Sequence, residues 1–471
     1  MAGKAIERTL PFIREKDIWN LAMGRDELML LILWGEKKKQ GKRRIAFMQK
    51  ALTYMEKQWK DIEEKGKIYP YAAMLLEREL IKEKLWQEAE KVGEDAVKLL
   101  IDIDSICYLR ELLQLQIFVK NELGKTEEAK KFTEEYMILE DICKEYGYID
   151  EKTGILVRLK KQFYVEKEVI RKNRIGRGFT QEQLSEGICE PETLARIEKG
   201  RRAHERNFGK LTERLGWRKE KRSTELAIWD FKKLEKKWKI DWLMGHRKFK
   251  EARKELELFE CGDTLEGRQY LLYMKTMVRV QLGELTYQEA LEVFGEALSL
   301  TLKNYEKLSF KEYILTRQEM VILNGIALAH IEIGEKERGI EIYEDVLTGC
   351  DQSSVKNQHR TIGVLIFMEN LPVYLEEMKR YEEALEWHEK AIRLVLKCRR
   401  GLLLDKILAN KAYVWEKQGR KEEACLQLYK QAYYISILME DKVIGSGIRE
   451  HCQKQYGEET WARVISGENN F

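Results

Sequence analysis

The sequence predicts an all-α protein built from helical repeats, with a helix-turn-helix unit in the interior of the chain. Only 4 prolines occur among 471 residues, and the helix-forming residues Leu, Glu, Lys, Ala and Arg dominate the composition. No segment alternates apolar and polar residues over the length that a strand needs. A pattern of small residues recurs on both sides of residues 168–217, which contain a helix-capping signature.

The recurrent pattern is a helix that ends in glycine or a polar turn, then a Glu/Lys-rich segment, a small residue, and an aromatic residue or leucine about four positions later. It occurs three times before residue 160, for example LGKTEEAKKFTEEY at 123–136, and five times after residue 240, for example IGEKERGIEIYEDVL at 333–347. Small residues are expected where paired helices approach closely, and the glycine ends the first helix of each pair. The small residues are Ala46, Ala89, Ala129, Ala252, Ala290, Gly339, Ala384 and Ala424.

The helix-turn-helix unit begins at Thr180-Gln181-Glu182-Gln183, which is typical of a capping box. Thr180 is placed to accept from the Gln183 amide while the Gln183 side chain reaches back. Pro191 suits the first position of the next helix, which runs to Lys199 and ends at Gly200. A tight turn between two short helices is the arrangement whose second helix fits a DNA major groove. The predicted inward positions are Leu184, Ile188, Leu194 and Ile197, with Cys189 in the same core.

The segments TQEQL, GIC, ETLARIEKG and LTERLG closely resemble the Xre/Cro-type repressor domain, over about 50 residues. The short turn with Ile188-Cys189 is most similar to the variant of the peptide-responsive regulators called the RRNPP group. The repeats resemble the tetratricopeptide repeat, although their spacings exceed its 34 residues. Such repeats stack into a right-handed solenoid with a concave wall. The resemblance implies a transcriptional regulator whose repeats bind a short signalling peptide.

Charge supports a nucleic-acid partner for this segment. Residues 158–222 hold 19 Lys/Arg and 10 Asp/Glu, a net charge of +9 (19 − 10), whereas the whole chain is +4. The rest of the chain therefore sums to −5 (4 − 9). A local basic excess on a slightly acidic protein is the electrostatic pattern of a phosphate-binding module.

Geometry assigns roles to the side chains of this unit. The second helix would present Glu192, Thr193 and Arg196 to base edges, with Arg196 suited to a bidentate bond to guanine. The resemblance implies a phosphate contact for Gln181. The predicted backbone neutralisers are Lys199, Arg201, Arg202 and Arg206. Glu190 and Glu192 bring carboxylates near phosphates, and both also favour the helix dipole at this N-terminus.

Candidate ligand residues are asparagines on the first helix of each repeat. Asn370 and Asn410 each lie 14 residues before the small residue of their repeat. An amide side chain there can bond to both the N–H and the C=O of an extended peptide. In the preceding repeat this position is Gly325, with Asn324 one residue out of register. Pro372 falls inside such a helix, which predicts either a kink or a helix that starts at Leu371.

Other chemistry has no pattern in the sequence. The 8 cysteines never approach CxxC spacing, and the 6 histidines complete no metal-binding motif. We find no phosphate loop, no nucleophile elbow and no catalytic constellation, so we expect no metal, no cofactor and no enzyme activity. The longest apolar run, residues 28–34, is too short to span a membrane, which favours a cytoplasmic protein.

The predicted organisation is an N-terminal repeat block (1–160), a helix-turn-helix domain (161–222) and a C-terminal repeat domain (223–471). The function hypothesis is a cytoplasmic regulator that binds double-stranded DNA as a homodimer and senses a peptide. The alternative is a protein-interaction scaffold in which the helix-turn-helix unit is structural only. Because the unit lies between two repeat blocks, it is constrained at both ends.

Overall fold

Helical hairpins account for nearly all regular structure in the computed structural model. It describes residues 18–466 apart from 21–22, 24, 60–61, 149–166, 200–204, 216–230, 246, 262–264, 304, 308, 311–312, 314, 353–357 and 402. Within these residues the β-structure is a single bridge between Ser105 and Arg400. No helix of the described chain is long and apolar enough to cross a membrane.

The first half of the chain contains eleven of the described α-helices after a 3₁₀ turn at Ile18–Asn20. They are α1 (Arg25–Lys38), α2 (Gly41–Gln58), α3 (Ile62–Gly66), α4 (Tyr69–Lys82), α5 (Trp86–Asp102), α6 (Leu109–Glu122), α7 (Thr126–Glu145), α8 (Lys167–Gly176), α9 (Gln181–Ser185), α10 (Pro191–Glu198) and α11 (Glu205–Arg214).

The second half continues with twelve described helices and a 3₁₀ turn at Tyr305–Lys307. They are α12 (Phe231–Gly245), α13 (Phe249–Glu257), α14 (Leu265–Gln281), α15 (Tyr287–Ser299), α16 (Arg317–Glu332), α17 (Lys336–Gln352), α18 (Gln358–Glu377), α19 (Tyr381–Lys397), α20 (Leu404–Lys417), α21 (Glu422–Leu438), α22 (Lys442–Tyr456) and α23 (Glu458–Ser466). From α12 through α18, each consecutive pair of helices packs together, including α13 and α14, whose connecting loop is only partly described.

The helices form two compact units. One unit contains residues 1–161 together with 388–471, and the other contains residues 162–387. The last repeats therefore pack with the N-terminal block, because α21 contacts α7. The compact units thus divide the chain differently from the three predicted segments, whose boundaries stay a prediction. The predicted fold class, an all-α repeat protein with an internal helix-turn-helix domain, is confirmed.

The first helix of several repeats ends as predicted, at a glycine with left-handed backbone. Gly124, Gly283, Gly334 and Gly419 have φ values of 72°, 74°, 97° and 68°. A residue without a Cβ adopts this conformation at little cost and stops the helix. At the corresponding turns before α5 and α19, Lys84 and Lys379 take the same left-handed conformation without glycine.

Most of the predicted small residues lie where helices approach closely. A Cβ on Gly339 would lie 2.6 Å from the main-chain oxygen of Ala327, so α17 packs against α16 at a distance that only glycine permits. The predicted small residues that are buried are Ala89, Ala129, Ala252, Ala290, Gly339 and Ala384.

Two of the predicted small residues are wrong. Ala46 and Ala424 are exposed, and their helices bury Phe47 and Cys425 instead. Successive helical residues point about 100° apart, so a shift of one position replaces the inward side chain. The prediction that a helix starts at Leu371 is also wrong, because α18 runs through Pro372.

Candidate nucleic-acid interface

Helices α8 to α11 form a helix-turn-helix module around a small apolar core. The core contains the predicted Leu184, Leu194 and Ile197, and Ile188 and Cys189 pack against it partly buried. The core is completed by Ile170 of α8, Leu211 of α11 and Leu215, which follows α11 directly. The four helices therefore fold around residues that the sequence pattern turned inward.

Local hydrogen bonds fix the start of α9 as predicted. The Thr180 hydroxyl accepts from the Gln183 amide at 3.1 Å, and the Gln183 side chain accepts from the Thr180 amide at 2.9 Å. This reciprocal pair satisfies two of the helix N-terminal donors. Pro191 is the first residue of α10, and Glu190 precedes it without a side-chain capping bond.

A buried ion pair joins α8 to α10. The Arg174 guanidinium donates to the Glu198 carboxylate through Nε at 2.6 Å and through Nη2 at 3.1 Å. Gln181, the predicted phosphate contact, donates its amide to the same carboxylate at 2.9 Å. Bidentate pairing of this kind fixes orientation. The pair therefore holds α10 and the start of α9 in one relative position.

Apart from the buried Glu198, the charged side chains of α10 and of Lys199, the residue after it, point outward. Glu192, Arg196 and Lys199 are exposed, and Thr193 is half-buried beside them. Gly200, Arg201 and Arg202 lie outside the described residues, as does the side chain of Arg206. The predicted base contacts thus share one exposed helix, while their roles stay predictions.

A surface pocket of about 570 Å³ lies between α8, the start of α9 and α10. Its cationic side chains are Arg171, Arg174 and Lys199, and Glu182 and Glu198 also line it. The structure thereby brings Gln181 and Lys199 to one concave site, because both line this pocket. A polyanion backbone next to α10 would meet this basic side of the module.

The turn after α8 attaches the module to the repeats of its own unit. The Arg177 guanidinium donates to both carboxylate oxygens of Glu319, at 2.7 and 3.0 Å. Thr301 donates to the same carboxylate at 2.8 Å, and Glu319 is wholly buried at the start of α16. Burial alone would raise the pKa of Glu319, but the Arg177 guanidinium and these hydrogen bonds hold that pKa below its usual range.

Close backbone approach surrounds this ion pair. A Cβ on Gly176 would lie 2.2 Å from the Tyr313 ring, and one on Gly178 would lie 2.8 Å from the Lys303 side chain. Two small residues therefore let the turn fit against residues 303–319, and Arg177 between them reaches the buried carboxylate.

The candidate ligand residues divide between the two units. Asn370 donates its amide to Asn324 Oδ1 at 2.9 Å, and the Tyr343 hydroxyl donates to the same oxygen at 3.2 Å. Tyr343 also stacks on Tyr374 at 6.1 Å with an interplanar angle of 11°. The out-of-register Asn324 is thus brought together with Asn370, while Asn410 lies on α20 in the other unit.

Several residues that shape this site were not identified from the sequence. Arg214 donates to the carbonyls of Gln183, Leu184 and Glu186 at 3.2, 3.0 and 2.6 Å, which satisfies the C-terminal end of α9. The sequence marks Arg214 only as a basic residue in the last turn of α11, which does not predict these three hydrogen bonds. Arg177 and Glu319 have no such signal, since 142 residues separate them.

Residues 240–451 match the model of the RNPP family C-terminal domain. This region, 212 of the 471 residues, is similar to that domain and is called the RNPP domain. The predicted resemblance to the peptide-responsive regulators is therefore confirmed. RNPP proteins are regulators of transcription, so the prediction of a non-enzymatic protein is also confirmed. The RNPP domain covers α13 to α21 and includes all three candidate asparagines.

Several solved structures resemble this chain at low sequence identity. PlcR from Bacillus thuringiensis, in complex with the peptide PapR7 and DNA, is 22% identical, with 60% of this chain and 98% of PlcR covered and a TM-score of 0.42. ComR from S. thermophilus, in complex with DNA and its signalling peptide ComS, is 16% identical, with coverages of 60% and 97% and a TM-score of 0.37. No curated protein matches the chain.

Proposed function

We propose that this protein is a cytoplasmic transcriptional regulator that binds double-stranded DNA through α10 and senses a short peptide through its RNPP domain. The observation that carries the DNA proposal is the exposed pair Arg196 and Lys199, in and directly after α10, on a module whose helices the Arg174–Glu198 pair joins. A net charge of +9 over residues 158–222 supports it (19 − 10). Two copies would bind as a homodimer, each presenting one module.

The peptide proposal rests on the RNPP domain and on the Asn324–Asn370 pair. Asn324 keeps its amide donors on the half-buried surface beside Tyr343, where an extended peptide main chain offers carbonyl acceptors. The polar pair beside stacked aromatic rings suits a peptide with at least one apolar side chain.

The Arg177–Glu319 ion pair supports a route from peptide to DNA. Glu319 belongs to α16, the helix that also carries Asn324. A ligand that shifts α16 by part of an ångström moves the Glu319 carboxylate to which Arg177 is bonded. The helix-turn-helix module, which lies in the same unit, would then change its position.

The test is DNA binding by the full chain, measured by fluorescence anisotropy on a duplex selected from genomic fragments and on a random duplex. We expect Arg196→Ala to cost about 1–3 kcal/mol on the selected duplex only, and Lys199→Ala to weaken both duplexes and to lower the salt slope by about 1. Lys91→Ala, an exposed lysine on α5, is the control of equal charge change.

Absence of binding to any genomic fragment at low salt would remove the DNA proposal. A stoichiometric protein partner without DNA would then favour the scaffold function.

To test the peptide proposal, short synthetic peptides encoded beside the gene are titrated into labelled protein. Asn370→Ala should abolish a binding isotherm that the exposed-residue control Asn121→Ala retains.

A further inference from the structure

Two helical hairpins far apart in the chain share one local structure. Helices α5 and α19 each contain 17 residues, and α6 and α20 each contain 14. Each helix of the second hairpin starts 295 positions after its counterpart, at Tyr381 against Trp86 and at Leu404 against Leu109 (381 − 86 = 404 − 109 = 295). The first hairpin and the second are therefore two copies of one repeat.

The loops inside these hairpins also match, bond for bond. Asp104 and its counterpart Arg399 both have left-handed backbone, with φ values of 52° and 56°. Ser105 donates to the carbonyl of Leu100 at 2.8 Å, and Arg400 donates to the carbonyl of Val395 at 3.1 Å. Left-handed backbone is uncommon for residues other than glycine, so its repetition at equivalent places identifies one loop design.

The two loops contact each other with reciprocal hydrogen bonds. The Ile106 amide donates to the Arg399 carbonyl at 3.0 Å, and the Gly401 amide donates to the Asp104 carbonyl at 2.8 Å. Gly401 is the counterpart of Ile106, since 401 − 106 is again 295. Each loop thus donates from the same position and accepts at the same position, with Ser105 opposite Arg400 at the centre.

Reciprocal contact between equivalent residues is the pattern of a two-fold interface between identical subunits. Further contacts lie beside the two loops within the same unit. Helix α7, which follows the first hairpin, packs against α21, which follows the second. The Tyr434 hydroxyl donates to Glu134 at 2.8 Å, and the buried Lys411 ammonium donates to the Tyr146 hydroxyl at 2.7 Å.

We infer that this contact is an internal pseudo-two-fold interface, in which the N-terminal repeats occupy the place of a second copy of the chain. The Arg399 carbonyl and the Gly401 amide are paired with loop 103–106, and α7 packs against α21 beside them. A second copy cannot make the same two main-chain hydrogen bonds, because both are already formed within one chain. Two chains on one operator therefore meet through a different surface.

The test is a cross-link across the centre of the interface in the full chain. Ser105 and Arg400 are a pair without mutual main-chain hydrogen bonds in an antiparallel bridge, where Cα atoms lie about 4.5 Å apart, within the range that a disulfide spans. We expect Ser105→Cys/Arg400→Cys to oxidise within one chain. Denaturing mass spectrometry should then give a monomer of about 56 kDa. Proteolysis should release two peptides, one with residue 105 and one with residue 400, joined by a disulfide.

Single variants Ser105→Cys and Arg400→Cys are the controls, because Cys107 and Cys398 lie in the same loops. A disulfide-linked dimer in the double variant alone would show that the contact joins two chains and would overturn the inference. Absence of any new cross-link would overturn it as well. Light scattering gives a second test by comparing the molar mass of the wild type and Arg400→Glu. If the wild type is a dimer and this change dissociates it, the loop contact joins two chains and the inference is overturned.

Discussion

Glu77 lies in α4 with its side chain wholly buried, and its Oε1 accepts from the Gln116 amide at 2.7 Å. Burial raises the pKa of Glu77 from 4.5 to about 8, against the smaller opposing effect of the Gln116 hydrogen bond. At neutral pH the folded protein therefore holds a proton here that the unfolded chain, whose carboxyl pKa is near 4.5, has already released. The contribution to stability is fully present below pH 4.5 and is lost as the pH rises to about 8.

We expect Glu77→Gln to remove this pH dependence, because an amide of the same shape carries no proton to release. Between about pH 5 and about pH 8, the unfolding free energy of the wild type should fall relative to the variant by up to about 1.4 kcal/mol per pH unit. Urea unfolding at both pH values measures it. Glu83→Gln, an exposed carboxyl at the end of α4, is the control. Equal pH slopes for the wild type and Glu77→Gln would contradict the assignment.

The residues of the candidate interface differ in how far the sequence predicted them. The Thr180–Gln183 capping box was predicted because its two members are three residues apart and need only helical backbone. The Arg174–Glu198 pair was not, because it depends on how α10 crosses α8. Lone charges on helices are usually solvated, so neither residue stands out in the sequence.

Among the helices, close approach rather than propensity decides which small residues are required. In a helix interior, glycine is destabilising by roughly 0.5–1 kcal/mol relative to alanine. Gly339 in α17 is an exception, since a Cβ there would lie within 2.6 Å of a main-chain oxygen of α16. Gly447 in α22 has open space around the same position.

We expect Gly339→Ala to lower the unfolding free energy by about 1–3 kcal/mol through overpacking, and Gly447→Ala to raise it by about 0.5–1 kcal/mol. Thermal unfolding of the two variants beside the wild type measures both changes. The two free-energy changes have opposite signs because close packing decides the effect at Gly339 and helix propensity decides it at Gly447. A rise in the melting temperature of Gly339→Ala would show that α16 and α17 are able to move apart at little cost.

The repeat pattern predicted where helices end more accurately than which of their residues point inward. Gly124, Gly283, Gly334 and Gly419 end helices where the sequence placed them, because a left-handed residue acts locally. Ala424 is exposed although its repeat matches the pattern, since one residue of rotation in α21 turns Cys425 inward. A rotation of that size depends on the neighbouring helices and leaves no mark in the repeat itself.

For the molecule as a whole, the internal position of the helix-turn-helix module has a physical consequence. In the unit 162–387 the module is attached by the Arg177–Glu319 pair, whose side chains are 7% and 0% exposed. Removing one partner of a buried ion pair leaves an uncompensated charge, whereas removing both charges is far less costly. The attachment is therefore open to a double-mutant test.

We expect Arg177→Met to cost about 3–5 kcal/mol in local stability, and Arg177→Met/Glu319→Gln to restore part of that loss. Hydrogen exchange at the turn 176–179 should quicken in the single variant, and DNA affinity should change with it while the core of the module stays protected. Arg43→Met, an exposed arginine of α2 away from the pocket beside α10, is the control. Unchanged exchange in Arg177→Met would mean that other contacts hold the module to the repeats.

By itself, the sequence determined the helical class, the helix ends and the basic helix-turn-helix module, since each depends on residues within a few positions of one another. It also placed Asn324 and Asn370 in neighbouring repeats, although not the hydrogen bond between them. The tertiary structure decided that residues 388–471 pack with the N-terminal block and that Arg177 reaches Glu319. These contacts join residues more than a hundred positions apart, and only the packing of whole helices brings such residues together.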